Sequence, residues 1–118
     1  MDVKTILLVV ADAARRAALG DALRLEAHSV LVAEDAYEAL ALAGSSGRPP
    51  DLIVTDQRLE KGAGPALVST VERRRPGARV LFLAGFRAVT VHLPIYYLDP
   101  NVSPSAVARV ASRLVAAR

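Results

Sequence analysis

Five short apolar runs, spaced so that a helix-length segment can lie between most of them, limit what this chain can become. They are Ile6–Val10, Val30–Ala33, Leu52–Thr55, Val80–Leu83 and Ile95–Leu98. The first has no polar alternation and reads as a strand covered on both faces. Asp12 can cap a helix from about Ala13 to Ala27, with Ala18, Leu19, Ala22, Leu23 and Leu25 as its apolar face. Tyr37, Leu40 and Ala41 lie at helical spacing in a helix from about Ala36 to Ala43. The segment from Gly44 to Pro50 is the clearest loop. A third helix spans about Pro65 to Arg75, with Pro tolerated in its first turn and Pro76-Gly77 ending it. Ser103-Pro104 opens a last helix with Val107, Val110, Ala111, Leu114 and Val115 on one face. The stretch from Gly85 to Leu93 carries no clear element.

Strands alternating with helices imply βαβ units, hence a parallel sheet with helices on both faces. The expected fold is α/β: a flavodoxin-like, doubly wound, five-stranded parallel sheet. The 118 residues suit a single domain over 1–118. In such sheets functional residues sit beyond the carboxyl ends of the strands. Those ends carry Val10 to Asp12, Asp56, Ala84 and Asp99 to Asn101.

Composition removes several functions. Apolar residues make up 53% of the chain, too many for intrinsic disorder. With 4% aromatics and no Trp there is little to stack single-stranded nucleic acid. The net charge of +3 is a weak argument for nucleic acid, because the 13 arginines and 2 lysines are mostly scattered. The absence of Cys excludes disulfides, thiol catalysis and cysteine metal sites. Ile6–Ala11 is too short an apolar run to span a membrane, and no signal-peptide pattern precedes it. These features predict a soluble, cytoplasmic protein with no nucleic-acid or membrane partner.

Several segments resemble the receiver domain of bacterial response regulators, the CheY-like family, over essentially the whole chain. They are the first strand Lys4–Val9, then Pro50–Asp56 with Asp56 closing the third strand, then Gly62-Ala63-Gly64, with Gly64 eight residues beyond that aspartate. Arg79–Phe86, Tyr97-Leu98 and Ser103-Pro104 extend the match. The resemblance implies a signalling module, not an enzyme, and places Asp56 at the phosphoacceptor position. It also implies an acidic pair after the first strand that helps hold a divalent ion. That ion would neutralise charge developing on a transferred phosphoryl group. A hydroxyl after the fourth strand and a lysine after the fifth complete the family's set.

Here the acidic-pair positions fall on Val10 and Ala11, with Asp12 one residue too far along. The hydroxyl position falls on Ala84 and the lysine position on Pro100. The interval from Ala84 to Pro100 is about six residues shorter than the family's usual span, so the fourth helix is expected to be shortened or missing. The expectation is a degenerate receiver with no metal and no cofactor. It would act as a protein-interaction module for a histidine kinase, a phosphotransfer protein, an output domain or a second copy as a homodimer. The alternative is a conventional phosphoacceptor, phosphorylated on Asp56 by a histidine kinase or phosphotransfer protein, with Mg2+ as its cofactor.

Without metal or lysine an ionised Asp56 needs another cation, and Arg58 and Arg87 are the candidates at that end of the sheet. Asp12 favours a helix cap over a metal ligand. His28 and His92 have no ligand-spaced partners and read as surface or loop residues. Arg73 to Arg75 read as a solvated helix end. Tyr96 and Tyr97 point to opposite faces of the fifth strand. A short fourth helix would leave Leu93, Ile95 or one of these tyrosines as part of an interaction face, unless the shorter loop folds down over it.

Overall fold

The computed structural model describes residues 3–85, 91 and 93–116. Five strands form one parallel sheet: β1 (Thr5–Val9), β2 (Ser29–Ala33), β3 (Leu52–Thr55), β4 (Arg79–Leu83) and β5 (Ile95–Leu98). Their spatial order is β2-β1-β3-β4-β5. Four helices accompany them among the described residues: α1 (Ala13–Leu25), α2 (Ala36–Ser45), α3 (Gly64–Arg74) and α4 (Pro104–Ala116). The doubly wound architecture expected from the strand spacing is the one formed. Among the described residues no helix lies between β4 and β5. None of the described helices is long and apolar enough to cross a membrane.

Period-two alternation divides the strand residues between two cores. Ile6, Leu8, Val10, Leu52, Val54, Leu81 and Leu83 face α1 and α4, where they meet Leu19, Leu23, Val107 and Ala111. Leu7, Val9, Ile53 and Val80 face α2 and α3, where they meet Ala39, Ala43, Leu67 and Val71. Every residue of β1 is buried, as an inner strand covered on both faces requires. Each fully buried Leu or Ile contributes roughly 1.5–3 kcal/mol, so the central strands hold the carboxyl end of the sheet rigid.

α1 stops two residues earlier than its apolar pattern suggests. Ala27 takes a left-handed conformation, φ 67°. The amides of Ala27 and His28 bond back to the carbonyls of Arg24 and Leu23, which closes the helix end. His28 lies in the loop after α1, half-buried. Its Nε2 lies 2.8 Å from Ser112 Oγ on α4, and Ser112 Oγ donates to Glu26 Oε1 at 3.1 Å. Burial lowers the His28 pKa below 6.5, and the nearby Glu26 carboxylate only partly offsets it. The unfolded chain then binds a proton more readily than the folded one. The stability His28 contributes is complete above about pH 6.5 and is lost as pH falls below it. Thermal melts between pH 7.5 and 5.5 should show a downward slope that flattens in His28→Asn. An unchanged slope in that variant would assign the effect to other groups.

The arginine triplet is not a solvated helix end. Arg74 Nη1 donates to Ala43 O at 2.6 Å and its Nη2 to Ser46 O at 2.8 Å. It thereby occupies carbonyls at the end of α2 that have no intrahelical partner. Arg75 Nε sits 2.8 Å from Asp51 Oδ1, an ion pair whose N–H is not aligned for a hydrogen bond. The other Asp51 oxygen accepts from the Thr5 amide at 2.9 Å. Arg73 alone keeps to its own helix, near Thr70.

Candidate functional site

The carboxyl end of β3 is built around Thr55. Its hydroxyl donates to Val9 O at 2.8 Å and accepts from the Gln57 amide at 2.9 Å. One side chain thus ties β3 to β1 and sets the turn that presents Asp56. Asp56 is half-buried, and its Oδ1 accepts from Gln57 Nε2 at 3.0 Å. Beyond it the loop is anchored by fully buried Leu59. The loop closes where Gly64 lies against the Leu59 backbone. Gly62 adopts φ 60°, a conformation that favours glycine.

Of the two expected cation partners, Arg58 turns away from Asp56. Arg58 Nε points to Glu60 Oε1 at 3.4 Å, not to Asp56. Asp56 and Glu60 each lie two residues from Arg58, so spacing along the chain does not choose between them. Arg87 lies outside the described residues, as does His92. Gln57, which sequence reasoning passed over, supplies the hydrogen bond to Asp56. Its signal is slight: it is the residue next to Asp56 and carries an amide.

Next to Asp56, the end of β1 carries no acid. Register pairs Val9 with Thr55, so Val10 stands beside Asp56. Val10 is completely buried in the α1/α4 core, while Ala11 is exposed. Asp12 is exposed and caps α1, its Oδ2 accepting from the Arg15 amide at 2.8 Å. Arg16, also overlooked in the sequence, donates from Nη1 to Val10 O at 2.7 Å and Ala11 O at 3.1 Å. Ala84 and Pro100 are half-buried and bring neither a hydroxyl nor an amine. Asp99 Oδ1 accepts from the Asn101 amide at 2.8 Å, shaping the β5–α4 turn.

On β5, alternation separates the two tyrosines as expected. Tyr97 stacks on Phe82 of β4, ring centroids 5.9 Å apart. Tyr96 is 40% exposed, and the Arg79 guanidinium lies 5.8 Å from its ring centroid. Arg79 Nη1 also donates to Leu114 O at 2.8 Å. Leu93 does not join an open face. It is buried in the α2/α3 core, with Val91 and Ile95 packed beside it.

A parallel sheet in the order β2-β1-β3-β4-β5 with Asp56 at the end of β3 is the arrangement that the receiver resemblance implies. The model of the response regulator receiver domain matches residues 6–95, and the chain belongs to that family. Among curated proteins it is 33% identical over 86 residues to the photosynthetic apparatus regulatory protein RegA of Cereibacter sphaeroides. That match covers 73% of this chain and 46% of the relative. It is 32% identical over 83 residues to the acid tolerance regulatory protein ActR of Rhizobium meliloti, covering 70% and 42%. The chain thus spans less than half the length of these curated relatives. A CheY-like receiver domain protein from Methanospirillum hungatei superposes with TM-score 0.76 at 21% identity, covering 98% of this chain and 96% of that one. The receiver domain of the hybrid histidine kinase CckA gives 0.74 at 24% identity, covering 94% and 98%. These structures share the fold.

The family implies a magnesium ion beside the aspartate, and the donors here do not fit one. Magnesium wants near-octahedral oxygen ligands. Val10 and Ala11 offer no side-chain oxygen, and the Asp12 carboxylate is engaged in capping α1. Among the described residues no group of three or more His, Asp or Glu could hold a metal ion.

Proposed function

We propose that the chain is an atypical receiver, a protein-interaction module of two-component signalling that works without magnesium-dependent phosphorylation. Its partners would be a histidine kinase, a phosphotransfer protein, an output domain or a second copy. One observation carries this reading. Asp56 stays at its strand end, but the positions where the resemblance expects an acidic pair, a hydroxyl and a lysine hold Val10, Ala11, Ala84 and Pro100, and its Oδ1 accepts from the neutral side chain of Gln57. Phosphoryl transfer draws most of its rate from cations placed on developing negative charge, and a lost metal costs several kcal/mol of that stabilisation. The half-exposed Tyr96 with its Arg79 neighbour supplies a surface on which a partner can dock without phosphorylation.

The conventional reading has one observation in its favour: Asp56 is half-buried and not sealed, so a donor can reach it. Amide NMR during titration with millimolar magnesium, then with magnesium and beryllofluoride, separates the two. The atypical module should show no shift centred on Asp56. Saturable shifts there that vanish in Asp56→Asn would establish a working phosphoacceptor.

A further inference from the structure

At the amino end of the sheet a cavity of about 270 Å³ is lined in part by Lys4, Arg48, Asp51 and Arg75. These charges come from three separate places. Lys4 precedes β1, Arg48 and Asp51 lie between α2 and β3, and Arg75 follows α3. Three cations against one carboxylate leave an excess of two positive charges in one concavity. A concave site with one dominant sign of charge concentrates the field on whatever enters it.

Asp51 positions one of the cations and does not balance the others. Its side chain is only 9% exposed, with Oδ1 beside Arg75 Nε and Oδ2 accepting from the Thr5 amide. Lys4 is half-buried and Arg48 exposed. Among the described residues neither of them forms an ion pair. Arg48 Nη1 reaches only Val3 O, at 3.5 Å, beyond the usual range of an N–H···O bond. Cations gathered without matching acids repel one another, and an anion placed between them removes that repulsion.

We propose that this cavity binds a phosphate-class oxyanion, with Arg48 and Arg75 as guanidinium forks and Lys4 as a point charge. A phosphate monoester carries a charge of about −1.5 to −2 at pH 7, which matches the excess. A carboxylate carries a single charge and would leave one cation unmatched. The volume equals that of roughly nine waters, room for a phosphate with a small group attached. Asp51 and Asp56 lie at opposite ends of β3, so the site requires neither a metal nor a phosphoryl group on Asp56.

Inorganic phosphate titrated into the intact chain at constant ionic strength, followed by amide NMR, tests this. Saturable shifts are expected at Lys4, Thr5, Arg48 and Asp51. Removing Arg75 would strand the buried Asp51 carboxylate, so the variants are Arg48→Ala and Lys4→Gln. Each should weaken binding by about tenfold. Arg48→Lys should fall between, since lysine keeps the charge but loses the fork. Arg109→Ala removes an equal charge from an exposed position on α4 and should bind like the parent. Phenyl phosphate as a second probe separates the sources: tighter binding than phosphate indicates a phosphate carried on a larger molecule, weaker binding a free anion. Acetate binding as tightly as phosphate would overturn the ligand class. Unsaturable shifts spread over many arginines, or Arg48→Ala and Lys4→Gln both folded and binding like the parent, would overturn the site.

Discussion

Gly64→Ala is expected to destabilise the domain by about 3 kcal/mol, near the upper end for overpacking a close-packed site. A Cβ at Gly64 would fall on the carbonyl and Cα of Leu59. Leu59 is fully buried in the α2/α3 core and cannot give way without opening it. Circular dichroism melts should show a midpoint drop of about 10 °C or more. Gly44→Ala is the matching control. It lies inside α2 with nothing within 4 Å of an added Cβ, so it should leave stability unchanged or raise it by up to ~1 kcal/mol. Equal melting of the two variants would mean that the Leu59 turn is loose. The contrast matters for the site, because this turn carries the chain from Asp56 to α3.

Much of this arrangement is legible in the amino-acid sequence because it depends on local signals. Central strands covered on both faces show up as unbroken apolar runs, and Asp12 announces its cap by chemistry alone. The short interval after Ala84 argued for a shortened or missing fourth helix, and residues 86–90 and 92 of that interval lie outside the described residues. What escaped depends on which distant ends meet. Arg74 ties to a carbonyl 31 residues away, Ala43, and His28 meets Ser112 across 84, so no window along the chain displays either pairing. Arg58 illustrates the opposite error. It lay at the right end of the sheet, but Glu60, as close along the chain as Asp56, took it. Gln57 and Arg16 were missed because a neutral amide and an early helix residue carry no motif. Leu93 packs inward, since an apolar side chain gains more from the α2/α3 core than from an open face.

Val10 is packed into the core beside the end of β3, and Val10→Asp should expose what an acid there would cost. In the resemblance that position carries an acid, yet here Val10 has no exposed surface and packs with Leu8, Leu19 and Leu83 among others. A carboxylate placed there must lose its hydration or take up a proton. The Arg16 guanidinium already bonds the Val10 and Ala11 carbonyls, which offsets part of that penalty. The expected net cost is about 2–4 kcal/mol at neutral pH. The buried acid would have a raised pKa in the folded state, so the folded chain would hold its proton more firmly than the unfolded one. The penalty is therefore largest above the folded pKa and shrinks as pH falls toward the unfolded value near 3.9. Ala11→Asp places the same group on an exposed residue and should change stability by no more than about 0.5 kcal/mol. Urea unfolding of both variants at pH 7 and pH 4.5 measures the difference. Equal, small effects would show that Val10 keeps its place without packing pressure and that restoring one acid is structurally free. A large, pH-dependent loss confined to Val10→Asp would mean the chain has committed that position to its core, so recovering a metal site would require repacking α1 against the sheet.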